Sequence, residues 1–251
     1  MRKWYSIMRI ALVETTQLPG NDIHPMDNSI PDGMRRAAEA ASGKICEAAA
    51  AGAELICFPQ WFVGFGNIAP IPNKITQVIQ NAARDNRMVV VTGTFRTPGV
   101  GMKSHQCSLV IDQIGEVVSI QEKRNLYPLE EQWQLSSPEI NPGHTSIGRV
   151  VISHGDDAAD SCVYEAVRNL SPHVWVLQTN DALDVTKWVR RPMAFRELVA
   201  QRAQELNAVV VCPMLKGEFM HVEYTGGSFI ATTEGHILEL TPGSSTLIAN
   251  V

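Results

Sequence analysis

Short apolar runs rich in β-branched residues alternate with helix-like segments along this chain of 251 residues. This alternation restricts the fold more than any other feature, because strand-length runs separated by helices indicate a mixed β-sheet covered by helices. Tight turns between paired strands are predicted at 114–118 and 233–237. The strand-like runs are 9–13, 54–58, 88–95, 107–111, 116–121, 149–153, 173–178, 208–212, 226–232 and 236–240, and the helix-like segments are 33–51, 71–86, 161–171 and 191–206.

The whole chain, residues 1–251, is predicted to form a single domain, since no repeat, low-complexity tract or linker divides it and large α/β cores reach this length. The net charge of −5 and the absence of a basic cluster argue against binding to nucleic acid or to an anionic membrane surface. No apolar run approaches the length of a bilayer span. Residues 1–13 lack the pattern of a secretory signal.

The cysteines are spaced singly, without a C-x-x-C pair, and their number is odd. This pattern favours free thiols in a reducing cytoplasm over a disulfide framework or a zinc site. The histidines are scattered, and no glycine-rich phosphate-binding loop occurs, so neither a metal nor a cofactor is expected. The five cysteines are Cys46, Cys57, Cys107, Cys162 and Cys212.

Three segments hold the residues that suggest a chemistry. They are LICFPQWFVGFG (55–66), EKRNLYPLEEQW (122–133) and RVVISHGDDAADSCVYEAVRNL (149–170). In this order they resemble the three catalytic segments of the nitrilase, or carbon–nitrogen hydrolase, superfamily. In that family the first segment supplies a glutamate as general base, the second a lysine that stabilises the oxyanion, and the third a cysteine nucleophile. The corresponding residues here are Gln60, Lys123 and Ser153.

The resemblance extends from Met8 to about Leu240 and implies the fold of the family, a four-layer α-β-β-α sandwich of two mixed sheets. It is supported by further segments whose order and spacing match the family: 52–59, 105–118, 178–182, 202–217 and 225–238. The resemblance also implies that the three family positions, Gln60, Lys123 and Ser153, converge in one pocket.

Two of these three positions hold a residue that cannot perform the family's chemistry. An amide has no useful proton affinity, so Gln60 cannot act as the base and is expected only to keep local hydrogen bonds. Ser153 is much harder to ionise than a thiol. His154 follows directly, but adjacent side chains of a strand point to opposite faces, which argues against a Ser153–His154 pair.

The resemblance assigns substrate contacts to three other residues. Glu131 lies eight residues after Lys123, where the family has a glutamate that orients the substrate and supports the lysine. His154 follows the nucleophile position, and Asn180 lies in the segment QTNDA (178–182). The implied ligand is a small molecule that resembles an amide or a carboxylate. The implied assembly is a homodimer or a heteromer with a related subunit.

Three functions agree with these residues. In the first, the protein is a pseudoenzyme that keeps the fold and part of the pocket and acts in ligand binding or as an assembly or regulatory subunit. In the second, it is an active amidase with Ser153 or Cys162 as nucleophile and Glu130, Glu131 or an aspartate of 156–160 as base. In the third, Lys123 and His154 perform a different reaction, such as acyl transfer or proton shuttling in a lyase.

Overall fold

Two mixed β-sheets lie face to face, and helices cover the outer face of each sheet, so the predicted four-layer α-β-β-α sandwich is confirmed. The structure is a computed structural model that describes residues 7–14, 32–62, 68–128, 130–155, 157–179, 192–219 and 222–251. The helices are α1 (Asp32–Ala50), α2 (Lys74–Asn86), α3 (Ser161–Leu170) and α4 (Pro192–Leu206). The strands are β1 (Arg9–Val13), β2 (Leu55–Cys57), β3 (Val89–Val91), β4 (Phe95–Pro98), β5 (Ser104–Ile111), β6 (Val117–Glu122), β7 (Gln134–Leu135), β8 (Gly143–Thr145), β9 (Gly148–His154), β10 (Val174–Gln178), β11 (Val209–Cys212), β12 (Lys216–Phe219), β13 (Val222–Thr225), β14 (Phe229–Ala231), β15 (Ile237–Glu239) and β16 (Thr246–Asn250).

The first sheet has the order β16-β1-β2-β3-β5-β4, and β6 and β7 also pair with β5. Its strands β1, β2 and β3 are parallel. The second sheet has the order β15-β14-β11-β10-β9-β8, and its strands β9, β10 and β11 are parallel. Strands β12 and β13 form a separate antiparallel hairpin.

Alternation along the strands builds the layers, because successive side chains of a strand point to opposite faces. In β9, Val150 and Ile152 lie in the buried cluster between the two sheets, whereas Val151 lies in the cluster between the second sheet and helices α3 and α4. Helices α1 and α2 cover the first sheet in the same way. Burying both faces of each sheet explains why most strands lack an exposed polar row.

The carboxyl ends of the parallel strands of both sheets meet at one edge of the sandwich. Gln178, the last residue of β10, donates its two amide hydrogens to the carbonyl oxygens of Phe58 and Thr92, at 2.7 and 2.6 Å. These two residues directly follow β2 and β3 of the other sheet. The edge therefore collects the loops from both sheets, and it is called the carboxyl edge below.

The structure differs from the sequence prediction at several strand boundaries. The run 88–95 is interrupted after Val91. The run 226–232 is shortened because Gly226 and Gly227 adopt φ values of 73° and 91°, so β14 begins only at Phe229. Strand β9 continues to His154, one residue beyond the predicted end, and the chain turns at Gly155 with a φ of 60°. The four predicted helices are all present, and each end lies within three residues of its predicted position.

Candidate active site at the carboxyl edge

A buried ion pair lies at the carboxyl edge, which the end of β6 also reaches. Lys123, which follows β6, has a side chain with 0 % exposure, and its Nζ lies 2.8 Å from Oε1 of Glu130. The other carboxylate oxygen of Glu130 accepts the backbone N–H of Tyr127 at 2.9 Å. Because both carboxylate oxygens have donors, the pair is well compensated despite its burial.

Glu130, and not the predicted Glu131, supports Lys123. Glu130 begins a 3₁₀ turn at Glu130–Gln132 that points its side chain inward, while the side chain of Glu131 is exposed. Glu131 lines an open groove of about 530 Å³ on the protein surface. The other residues of this groove are Lys103, Arg124, Asn125, Leu126, Gln134, Leu135 and Ser136.

Two tyrosines lie near the ion pair. The Tyr127 ring centroid lies 4.4 Å from the Lys123 ammonium, a cation–π contact. Tyr224, in β13, packs with Trp61, Trp133 and Leu215. Burial, followed by the nearby Glu130 carboxylate, raises the pKa of the Tyr224 hydroxyl. The hairpin β12–β13 therefore covers the side of the site where Glu130 lies.

Ser153, where the resemblance places the family's nucleophile, contacts the helix-facing side of the second sheet. Its Oγ accepts the indole N–H of Trp175 at 3.0 Å, and Trp175 lies in the core between the second sheet and helices α3 and α4. Ser153 is 3 % exposed. Ser153 therefore lies at the end of β9 with its hydroxyl bound on the helix-facing side of the sheet, and the convergence of Gln60, Lys123 and Ser153 stays a prediction.

The side chain of His154, the last residue of β9, lies on the inner face of the second sheet, toward the first sheet. Its Nε2 lies 3.0 Å from the Ser108 hydroxyl in β5 of the opposite sheet. Burial, and then the Lys123 ammonium, lower the pKa of His154 from 6.5 to about 3, so the ring is neutral at physiological pH. The predicted opposition of Ser153 and His154 is confirmed, since the two side chains contact different layers.

Asp157 joins the third segment to the second. Its carboxylate accepts the backbone N–H of His154 at 3.0 Å and the side-chain amide of Asn125 at 2.8 Å. Burial raises the pKa of Asp157 from 3.8 to about 6, although these hydrogen bonds and Lys123 oppose the shift. The second Asn125 contact, to Asp160 at 3.1 Å, fixes the loop after Lys123 against the start of α3.

Gln60 is buried in the turn after β2, at the same edge of the sandwich. The turn is held by a hydrogen bond from the Trp61 backbone N–H to the Thr94 hydroxyl at 3.1 Å. It packs so closely on Gly93 that a Cβ there would lie 2.7 Å from the Pro59 carbonyl oxygen. A buried amide is thus placed where the resemblance puts a carboxylate.

Glu14, which follows β1, holds the open end of the hairpin β12–β13, where β12 begins and β13 ends. Its carboxylate accepts the backbone N–H groups of Gly227 and Ser228 at 2.6 and 2.8 Å, just after β13. It also lies 3.6 Å from the ammonium of Lys216, the first residue of β12. A Cβ at Gly226 would lie 2.6 Å from the Glu14 carboxyl carbon, so this contact requires glycine.

The remaining predicted residues lie apart from the ion pair or beyond what the structure describes. Cys162 is exposed in the first turn of α3, where its backbone N–H is bound by the Asp160 side chain. Asn180 and Asp156 lie outside the described residues. In the described part of the chain, no group of three or more His, Cys, Asp or Glu side chains could hold a metal ion. No described helix is long and apolar enough to cross a membrane.

Four residues of this edge were not predicted from the sequence: Ser108, Asp157 as a partner of Asn125, Gln178 and Trp175. Ser108 and Gln178 are polar residues within otherwise apolar strand runs, and this is the one sequence signal that marks them.

Comparison with solved structures gives the same fold. One similar structure is a variant of the amidase from Nesterenkonia sp. AN1 that has glutamine in place of a glutamate and an acetamide moiety on its active-site cysteine. Its sequence is 20 % identical to this chain, the alignment covers 98 % of this chain and 90 % of the amidase, and the TM-score is 0.77. A double variant of that amidase in complex with acrylamide is 20 % identical, with coverage of 100 % and 93 % and a TM-score of 0.76. A variant with serine in place of a cysteine is 20 % identical, with coverage of 98 % and 92 % and a TM-score of 0.74.

No curated protein matches the chain by sequence. The family model for carbon–nitrogen hydrolases, however, matches residues 9–251. With nearly the whole chain covered, and with the two mixed sheets and their helices in the arrangement of the nitrilase-superfamily amidases, the chain belongs to the carbon–nitrogen hydrolase family.

Proposed function

We propose that this protein is a non-hydrolysing member of its family, a pseudoenzyme that retains the charged site at the carboxyl edge for ligand binding. One observation carries the proposal: the hydroxyl of Ser153 is bound by Trp175 on the helix-facing side of the sheet. A nucleophile must reach the carbonyl carbon that the oxyanion donor polarises, so this orientation separates the two functions.

The residue exchanges support the same conclusion. The resemblance places glutamine where the family has its general base and serine where it has its nucleophile. The same two exchanges, glutamate to glutamine and cysteine to serine, occur in the variants of the Nesterenkonia amidase. In that amidase the glutamine variant still carries a covalent group on its cysteine, so the absence of a thiol at residue 153 is the more severe of the two changes.

The alternative bases and nucleophiles are poorly placed. His154 has a pKa of about 3, so it holds a proton too weakly to serve as a base or shuttle near neutral pH. Cys162 is an exposed helix residue rather than part of the buried edge. Glu130 is occupied by Lys123 and by the Tyr127 backbone. These contacts argue against an active amidase and against proton shuttling through Lys123 and His154.

Ligand binding is supported by the polar groups that remain. A buried Lys123–Glu130 pair costs desolvation energy and contributes little net stability compared with apolar residues, so its presence suggests a role other than stability. The proposed ligand is a small amide- or carboxylate-like molecule. The proposed assembly is a homodimer or a heteromer with a related subunit, in which the protein acts as an assembly or regulatory subunit.

The test is ammonia release from acetamide, butyramide and acrylamide, measured with purified protein and with an intact family amidase as positive control. We expect no release above the buffer blank. Release that is lost in the Ser153→Ala variant would instead support the active amidase, and release that is lost in Cys162→Ala would identify Cys162 as its nucleophile.

A further inference from the structure

The open groove beside Glu131, called the surface groove below, is lined by charges of both signs. Lys103 and Arg124 supply two cations, and Glu131 supplies a carboxylate. Within the described part of the chain, none of these three side chains forms an ion pair, although they share one groove of about 530 Å³. Neither Lys123 nor Glu130 lines this groove. It is therefore a second candidate site, separate from the buried ion pair.

Both cations of the surface groove are anchored to the backbone of the segment that forms its wall. Nζ of Lys103 donates to the carbonyl oxygen of Glu131 at 2.6 Å, and a guanidinium nitrogen of Arg124 donates to the carbonyl oxygen of Pro138 at 2.6 Å. An ammonium has three N–H donors and a guanidinium five, so most of these donors stay available for a ligand. Because the anchors already restrict two long side chains, a ligand would lose less conformational entropy in ordering them.

The carboxylate of Asp160 acts electrostatically on Arg124 but is occupied elsewhere. It caps α3 by accepting the backbone N–H groups of Cys162 and Val163 at 2.8 and 3.2 Å, and it also accepts the side-chain amide of Asn125 at 3.1 Å. Asp160 therefore leaves the guanidinium of Arg124 available to a carboxylate from outside the chain.

One buried side chain of the lining has a polar atom without a partner. Gln134 is 1 % exposed and donates its amide nitrogen to the side-chain oxygen of Gln106 at 2.8 Å, while no described residue donates to its own amide oxygen. If both amides turn over, the bond between them is kept with its direction reversed, so Gln134 can offer either an acceptor or a donor. Since an unpartnered buried polar atom is unfavourable, this side chain would gain from a polar ligand in the groove.

The charges of the lining discriminate between classes of ligand. A simple anion is attracted by Lys103 and Arg124 but repelled by Glu131, and a simple cation experiences the opposite. A ligand that carries a carboxylate and an ammonium matches both signs. Leu126 and Leu135, which also line the groove, favour an apolar group on the same ligand.

We infer that the surface groove binds a free amino acid with an apolar side chain, without reaction. Lys103 and Arg124 bind its carboxylate, and Glu131 binds its ammonium. Leu126 and Leu135 contact its side chain. The buried ion pair takes no part in this binding, so the inference does not depend on the proposed function.

The test is isothermal titration calorimetry with three probes that share one carbon skeleton. They are L-leucine, 4-methylpentanoate, which lacks the ammonium, and 3-methylbutylamine, which lacks the carboxylate. We expect leucine to bind at least about tenfold more tightly than either of the others, as one lost charge-assisted hydrogen bond predicts. No binding of leucine, or equal binding of leucine and one of the other probes, would overturn the inference.

Two variants of the lining separate the two ends of the ligand. Arg124→Gln should weaken the binding of leucine and of 4-methylpentanoate alike, by about tenfold. Glu131→Gln should weaken the binding of leucine and not that of 4-methylpentanoate, so the preference between them should fall to near one. Arg36→Gln and Glu139→Gln are matched controls, because both residues are exposed and lie outside the lining, and they should keep both affinities. Binding of leucine that is unchanged in Arg124→Gln and Glu131→Gln would place the ligand elsewhere and overturn the inference.

Discussion

Trp175 donates its indole N–H to the Ser153 hydroxyl across 3.0 Å, from the neighbouring strand of the same sheet. The bond assigns Ser153 to the structural core on the helix side and leaves the inner face of β9 to His154. Ser153 thus contributes to stability, and the predictions below follow from this arrangement.

Ser153→Ala should destabilise the protein, because the buried Trp175 N–H loses its acceptor. We expect a decrease of about 1–3 kcal/mol in the free energy of unfolding, measured by urea denaturation. In a Trp175→Phe background the same change should cost less, since no N–H remains to be satisfied. Equal costs in the two backgrounds would show that the bond does not form.

Lys123→Met should leave the Glu130 carboxylate buried without its cation. The expected loss is about 3–5 kcal/mol, and adding Glu130→Gln should restore part of it. The control is Lys44→Met: Lys44 also lies 2.8 Å from a glutamate, Glu47, but at the surface, so the loss there should stay below about 1 kcal/mol. Similar losses at both sites would contradict the burial of the pair.

The pH dependence of stability should reveal His154 and Asp157 as opposing groups. In the unfolded chain His154 takes up a proton below its ordinary pKa of 6.5, whereas in the folded protein its pKa is about 3. Because the unfolded state binds the extra proton between these two values, this group lowers the stability of the fold as the pH falls. Asp157 has its pKa raised from 3.8 to about 6, so between these two values the folded protein holds a proton that the unfolded chain has lost. This group therefore lowers the stability of the fold as the pH rises from about 4 to 6. Between about pH 4 and 6 the two contributions nearly cancel.

Asp157→Asn removes one of these contributions. Relative to the unmodified protein, the variant should lose stability by about 1.4 kcal/mol for each pH unit of acidification between about pH 6 and 4. Urea denaturation at several pH values measures this difference, in which the other carboxylates cancel. Parallel curves for the two proteins would show that Asp157 titrates at its ordinary pKa.

Glu14→Ala should loosen the hairpin β12–β13, because Gly227 and Ser228 lose their acceptor. Hydrogen exchange at these two backbone amides should become faster, while exchange in β10 changes little. Glu14→Gln keeps one acceptor oxygen and should give an intermediate rate. Unchanged exchange at Gly227 and Ser228 in Glu14→Ala would remove Glu14 from this role.

Much of the fold could be predicted from the sequence, because buried strands and amphipathic helices leave a clear pattern. In α4, for example, Phe195, Val199 and Ala203 recur at helical spacing and are buried. Strand ends were less predictable, since they depend on backbone turns such as that at Gly155. A strand that continues by one residue decides whether Ser153 or His154 is the last residue of β9.

Side-chain partners within the site were also hard to predict. The choice between Glu130 and Glu131 depends on a short 3₁₀ turn, and two adjacent glutamates in the sequence do not distinguish which one points inward. The position of Lys123 was predicted by the family spacing, and the structure places its side chain in the buried edge.

The central claim is that residue 153 is not presented to the site, and the reactivity of a thiol at this position tests it most directly. The measurement is the rate at which iodoacetamide modifies Ser153→Cys, resolved by residue with mass spectrometry. We predict a rate as slow as that of the buried Cys107 and Cys212, and far below that of the exposed Cys162. Modification of residue 153 faster than Cys162, decreased again by Lys123→Met, would show that the nucleophile position still faces Lys123 and would contradict the account.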